Sequence, residues 1–157
     1  MWAKKNKEWS PLTWKETSLK VREFAGGLRS FGIKPGDKVV IVSENRPEWI
    51  IADLAINLVG AITVPAYTTN TEDDHHYILE HSDAKAVIAS NNILANRVAL
   101  ATTRTELCKI LITLDNYSGF EPDNLKIINF NEVSDFGKNN IETALDYLNQ
   151  IQPDDVS

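Results

Sequence analysis

Residues 38–67 read KVVIVSENRPEWIIADLAINLVGAITVPAY, and the order of patterns within them decides the fold. Val39 to Val42 are consecutive β-branched residues, the mark of a strand covered on both faces. After the polar turn Ser43–Arg46, Pro47 suits the first turn of a helix, where its missing N–H costs nothing. An apolar helix is expected from Trp49 to Val59, ended by Gly60. AITVP then reads as a core strand that Pro65 cuts short. Strand, helix and strand in this succession make a crossover between parallel neighbours. Asp53 and Asn57, four residues apart, read either as a buried hydrogen-bonded pair or as polar residues facing a neighbouring domain, with the structural role favoured. The segment sets no nucleophile beside a base, so it reads as scaffold, with chemistry left to the loops.

The same rhythm extends in both directions. Upstream, MWAKKNKEWSPLTW has two short Trp-bearing stretches around Asn6-Lys7 and predicts a hairpin or edge strand. Thr13 and Glu16 have capping-box spacing, and Val21, Phe24, Ala25, Leu28 and Phe31 make one apolar stripe on a helix that Gly32 ends. Downstream, Thr71 and Asp74 form a second capping pair for a helix reaching about Ser82, with Glu72 and Asp73 suited to its positive end. KAVIAS, KILITL and LKIINF predict further strands, and NNILANRVALATTR a helix between the first two. A closing helix in NNIETALDYLNQ carries Ile141, Ala144, Leu145 and Leu148. Five rounds of alternation predict a doubly wound α/β domain over residues 1–157, its sheet mostly parallel with helices on both faces. IQPDDVS stops in polar residues and reads as a chain cut at a loop.

Composition narrows the function. The 157 residues are 43% hydrophobic and 24% charged, ordinary for a soluble globular domain that buries about 68–70% of its unfolded surface. A net charge of −6 and a pI near 5.0 argue against a nucleic-acid partner, which needs a basic stripe. No apolar run is long enough to span a bilayer, and Met1 is not followed by the pattern of a secretory leader. Cys108 is the lone cysteine, which excludes an internal disulfide and points to a reducing, cytoplasmic setting. Within ELCKILITL it reads as a small core residue.

The usual catalytic and phosphate motifs are missing. Ser43–Arg46 lacks the glycine spacing of a dinucleotide site, and neither a Walker-type loop nor a nucleophile elbow occurs. The strand ends offer Glu44 and Ser90, which is not the acidic constellation of a phosphoacceptor. His75, His76 and His81 share a helix with Asp73, Asp74 and Glu80. His76 and Glu80 lie on one face, a set too small for a metal, so the histidines read as a solvated face opposite Ile78 and Leu79. Trp14 and Trp49 fall at helix starts, where packing is expected rather than stacking on carbohydrate or bases.

Together these stretches resemble the adenylate-forming enzymes. LTWKET (Leu12–Thr17) resembles their first core motif and LVGAITVPAY (Leu58–Tyr67) their second. GIKPGDKVVIVSENRPEW between them and YILEHSDAKAVIAS after them are similar in order and spacing. The fit runs from about Leu12 to Leu114, and SENRPEW with VPAYTT is most similar to the long-chain fatty acyl-CoA synthetases. The resemblance implies a two-step reaction, in which a fatty acid carboxylate attacks the α-phosphate of ATP and the thiol of CoA then attacks the acyl-adenylate. It implies ATP, Mg²⁺ and CoA for the whole enzyme, held by a Thr/Ser/Gly-rich loop, an acidic metal ligand and a lysine expected beyond Ser157.

On that resemblance, residues 1–157 are the N-terminal part of a long-chain AMP-forming acyl-CoA ligase. They are expected to lack catalytic and metal-binding residues and to be inactive alone. Arg97, Tyr67 and Thr68 are the candidate binding residues, on the CoA or domain-interface side of the intact enzyme. The resemblance is compatible with peripheral membrane association of that enzyme, and an apolar face left uncovered predicts self-association of the chain. The alternatives are an adenylation domain for another carboxylic acid and a free-standing, non-enzymatic α/β module that binds a nucleotide or a protein.

Overall fold

A computed structural model describes residues 1–5 and 8–146. The expected turn at Asn6-Lys7, Leu148 of the closing helix and the final QPDDVS lie outside the described residues. Strands β1 (Trp2–Lys5) and β2 (Glu8–Pro11) pair antiparallel, with Trp2 opposite Pro11, as the hairpin pattern predicts. The N-terminal amine donates to the Leu12 carbonyl oxygen at 2.8 Å and ties this ribbon to the start of helix α1 (Trp14–Ser30).

The predicted capping box opens α1. The Glu16 N–H donates to Thr13 Oγ1 at 3.2 Å, and the Thr13 N–H donates to Glu16 Oε2 at 2.8 Å. Val21, Phe24, Ala25 and Leu28 are buried, and Phe31 is half-buried. Gly32, at φ +87, closes the helix: its N–H reaches the Arg29 oxygen and the Ile33 N–H the Leu28 oxygen, both at 3.0 Å. That paired closure needs a left-handed residue, which glycine supplies without strain.

There follow β3 (Lys38–Val42), α2 (Pro47–Leu58), β4 (Ile62–Ala66), α3 (Glu72–His81) and β5 (Ala84–Ala89). After them come α4 (Asn92–Thr102), β6 (Ile110–Thr113), β7 (Lys126–Asn129), α5 (Phe130–Gly137) and α6 (Ile141–Leu145). Five strands form a sheet in the order β4-β3-β5-β6-β7, every neighbouring pair parallel. Alternation along the strands splits the core in two. Val39, Ile41, Ala86, Ile88, Ile112 and Ile128 pack with residues of α1, α2, α5 and α6. Val40, Val42, Val87, Ala89 and Leu111 pack with Leu79 of α3 and with Leu94, Ala95 and Val98 of α4. The doubly wound arrangement is the one expected.

Four features differ from expectation. First, β4 is an edge strand with mostly half-buried residues, not a core strand, and it runs through Pro65 to Ala66. The Ile62 N–H donates to the Asp37 oxygen, so Ile62, Val64 and Ala66 turn their main chain toward β3. Pro65 alternates with them and places its missing N–H on the open edge, where no ladder bond is lost.

Second, α5 was not expected, because Phe130 reads as the end of a strand. Asn129 Oδ1 accepts from the Asn131 N–H at 2.9 Å and starts a helix of eight residues, whose Phe130, Val133 and Gly137 face α1. Third, no helix joins β6 to β7, so the alternation is not five full rounds. Instead Asn92 and Asn96 of α4 pin the connection: Asn92 Oδ1 accepts from the Ser118 N–H at 2.8 Å and Asn96 Oδ1 from the Phe120 N–H at 3.0 Å. Fourth, Trp14 does not pack; it is 77% exposed, while Trp49 lies against the core.

Candidate functional site

In a sheet of this order the chain winds from β3 outward to β4, then returns across β3 to β5. The loops leaving the carboxyl ends of β3 and β5 therefore part, and such a switch point is where open α/β sheets receive ligands. Here the crevice is filled by a polar network. Asn91 caps α4 by accepting from the Leu94 N–H at 3.0 Å, which leaves its amide to donate to Glu44 Oε1 at 2.8 Å. The Ser90 side chain holds the Glu44 carboxyl below its ordinary pKa; burial works against this, and Asn91 and Arg46 add to it.

Arg46, just before α2, bridges two carboxylates. Its Nε lies 2.9 Å from Glu48 Oε2 and a terminal nitrogen 3.1 Å from Asp115 Oδ1, beyond β6. Burial opposes its charge, but the two carboxylates outweigh burial and hold the guanidinium pKa above its ordinary value. The network thus ties together the ends of β3, β5 and β6. It contains three carboxylates, one guanidinium already engaged, and no histidine. A phosphate here would meet more negative than positive charge, so the residues at this crevice do not fit ATP by themselves. Among the described residues no group of three or more His, Cys, Asp or Glu side chains is placed to hold a metal ion.

Of the three residues singled out from sequence, Arg97 and Thr68 meet elsewhere. Arg97 of α4 donates to the Asn70 carbonyl oxygen at 2.6 Å and to that of Thr68 at 3.4 Å, clasping the loop that leaves β4. Tyr67, at the start of that loop, is 80% exposed. A groove of about 460 Å³ runs between Thr69–Glu72 and the Ile93, Asn96, Arg97 and Leu100 face of α4. Arg97 is therefore not a free surface cation but a clasp whose charge already faces two carbonyl oxygens.

His75 overturns its expected place on a solvated face: it is 1% exposed, and its Nε2 has no hydrogen-bond partner. Burial lowers its pKa, and the nearby Arg97 charge lowers it further against the pull of Asp74. The signal was present, since His75, Ile78, Leu79 and Ser82 recur at three- and four-residue steps. Asp53 and Asn57 do form a hydrogen-bonded pair, half-buried rather than buried, the Asn57 amide donating to the Asp53 carbonyl oxygen at 2.8 Å and to its Oδ1 at 3.3 Å. Cys108 is a core residue as expected, 1% exposed, and burial pushes its thiol up to about 12. That thiol is inert at neutral pH. The Arg46–Asp115 and Asn91–Glu44 contacts were not expected, because they join residues 69 and 47 positions apart.

Comparison with known proteins agrees with this topology. Over 91 residues the chain is 41% identical to the long-chain fatty acid–CoA ligase FadD15 of Mycobacterium tuberculosis, covering 58% of the chain and 15% of that protein. Over 103 residues it is 29% identical to the chloroplastic long-chain fatty acid–acyl-carrier-protein ligase AEE15 of Arabidopsis thaliana, covering 66% of the chain and 14% of the relative. A solved benzoate CoA ligase from Burkholderia xenovorans LB400 superposes with a TM-score of 0.66 at 31% identity, covering 79% of this chain and 23% of that one. The chain thus spans about a seventh of the length of these two curated relatives. Residues 2–156 match the family described as AMP-binding enzyme, and the chain belongs to that family.

Proposed function

We propose that this chain is the first α/β portion of an AMP-forming ligase that converts a long-chain fatty acid to its CoA thioester through an acyl-adenylate. The proposal rests on 41% identity, over 91 residues, to a long-chain fatty acid–CoA ligase. The described residues contain no glycine-rich phosphate loop and no nucleophile–base pair. ATP, Mg²⁺ and the fatty acid are therefore assigned to other sequence of the whole protein. The share of this chain is architectural. Its switch-point network fixes three strand ends, and the Arg97 clasp positions Tyr67–Asn70 on the side assigned to CoA or a neighbouring domain. An arginine suits a CoA phosphate through parallel N–H bonds, and Arg97 would share its donors with the Asn70 oxygen to make them. A cytoplasmic location belongs to the same proposal, supported by the single, buried thiol.

The polypeptide that carries this chain is expected to form palmitoyl-CoA from palmitate, ATP, Mg²⁺ and CoA. Residues 1–157 alone are expected to show no ATP–pyrophosphate exchange above background. Exchange by the isolated chain would overturn this division of labour. A polypeptide that prefers benzoate to palmitate would move the assignment to an aryl acid, a second reading favoured by the 31% identity to a benzoate CoA ligase. One that activates no carboxylic acid would leave a non-enzymatic binding module.

Self-association is also part of the proposal. Ile50 and Leu54 of α2 are 40% and 42% exposed, and α2 packs on the edge strand β4. Apolar side chains beside an open sheet edge favour association. Sedimentation of the chain at rising concentration is expected to show species larger than the monomer, and a constant monomer mass would refute it.

A further inference from the structure

We infer that the groove between the end of β2 and the helices α1, α2 and α5 is a binding site for a free α-amino acid with an apolar side chain of leucine size. The inference does not depend on the ligase reading. The groove holds about 310 Å³, at the lower end of the range for small-molecule pockets. That room suits a ligand of amino-acid size and not a long acyl chain. Its floor is made by Ile51 and Phe130, 3% and 6% exposed, and Pro11 and Pro47 stand in its walls. A proline carries no N–H, so these walls present carbon to an apolar side chain and leave no backbone donor unpaired.

Five charged side chains ring the groove, and three of them are already engaged. Glu48 is held by Arg46 at 2.9 Å, and Asp135 by Lys138 at 2.6 Å. Lys20 and Glu23 remain, three residues apart on α1 and therefore on one face of that helix. Among the described residues neither forms an ion pair. The Lys20 charge acts on Glu48 of α2, and the Glu23 charge on Lys138 just past α5. The positive pole of the groove thus lies toward α2 and the negative pole toward α5. A zwitterion matches this arrangement, its carboxylate meeting Lys20, its ammonium Glu23 and its side chain the apolar floor. An anion alone would face Glu23, Glu48 and Asp135 against two lysines, and a cation alone would leave Lys20 opposed.

Titration of the isotope-labelled chain, followed by its amide resonances, tests this. L-Leucine is expected to shift the amides of Lys20, Glu23, Glu48, Ile51 and Asn131 saturably. A Kd of about 1 mM is expected, since charges facing water contribute little each. Glycine lacks the apolar side chain, isocaproate the ammonium and isoamylamine the carboxylate. Each should bind at least about threefold more weakly than leucine. Neither Lys20 nor Glu23 is buried, so Lys20→Gln and Glu23→Gln leave the fold intact. Each variant should weaken leucine binding at least about threefold. Lys15→Gln, at an exposed position elsewhere around α1, should leave the Kd within about twofold of the parent. The assignment is overturned if leucine at about 20 mM leaves these amides unmoved. It is overturned too if any of the three analogues binds as tightly as leucine, or if Lys20→Gln and Glu23→Gln bind it as the parent does.

Discussion

A Gly137→Ala chain is expected to be about 3 kcal/mol less stable than the parent, the upper end of what overpacking costs. The reason is the crossing of α1 and α5, the most extensive helix contact in the fold. A Cβ on Gly137 would run into the Glu23 carbonyl oxygen and the Gly27 nitrogen, and one on Gly27 into the Val133 carbonyl oxygen. A Cβ on Gly26 would lie 2.6 Å from the Gly137 oxygen. The obstacle in each case is backbone, which cannot rotate away as a side chain does. The helices would have to separate, pulling apart the Phe24 and Phe130 rings stacked at 4.1 Å. The urea midpoint should fall with little change in slope. Gly32→Ala provides the comparison: nothing lies near its Cβ, and only its φ of +87 is strained, so about 1 kcal/mol is expected. If Gly137→Ala costs no more than Gly32→Ala, the close crossing is wrong.

The same crossing marks where the sequence stopped being readable. Helix starts at Thr13 and Thr71, helix ends at Gly32 and Gly60 and the strand KVVIV are set by neighbours within a few residues, and all were legible. α5 was not, because an eight-residue helix gives little periodicity and its stability comes from α1, more than a hundred residues away. Pro65 misled because a proline forbids only the side of a strand that needs a donor, and the strand order decides which side that is. At the candidate site the loop residues were legible one by one. Their partnerships were not: Arg46 meets Asp115 only because β6 lies beside β5, and Arg97 meets Asn70 only because α4 packs on α3. Trp14 resisted for the opposite reason, since a helix-start tryptophan carries the same pattern whether a neighbour covers it or not.

Acid is expected to destabilise the chain through His75, and His75→Leu to remove that sensitivity. The imidazole is 1% exposed with an unpartnered Nε2, and burial, followed by Arg97, lowers its pKa below the ordinary 6.5. The groups facing it are Arg97 from α4 and Asp74 beside it on α3; farther along the same helix pair, Arg104 is occupied with Glu72 and Asp73 at 3.5 and 2.9 Å. With the folded pKa lowered, the unfolded chain takes up a proton that the folded chain refuses. This stability is present in full above pH 6.5 and is lost as pH falls from there through the lowered folded value. The carboxyls of Glu44, Glu48 and Asp74 also have lowered pKa values, so their own losses begin farther down the scale. The interval from about pH 6.5 to about pH 5 therefore lies above the carboxylate losses, and within it the comparison with His75→Leu separates His75 from His76 and His81. In the parent, urea midpoints should decline across that interval, and the protection of the Tyr67–Asn70 amides, corrected for the intrinsic exchange rate at each pH, should fall as a second cation beside Arg97 loosens the clasp. In His75→Leu both trends should flatten, and stability near neutrality should hold or rise, since an unpaired buried nitrogen has been removed. A parent that is flat between those pH values, or a variant that keeps the parent's slope, would show that the buried imidazole does not govern the loop.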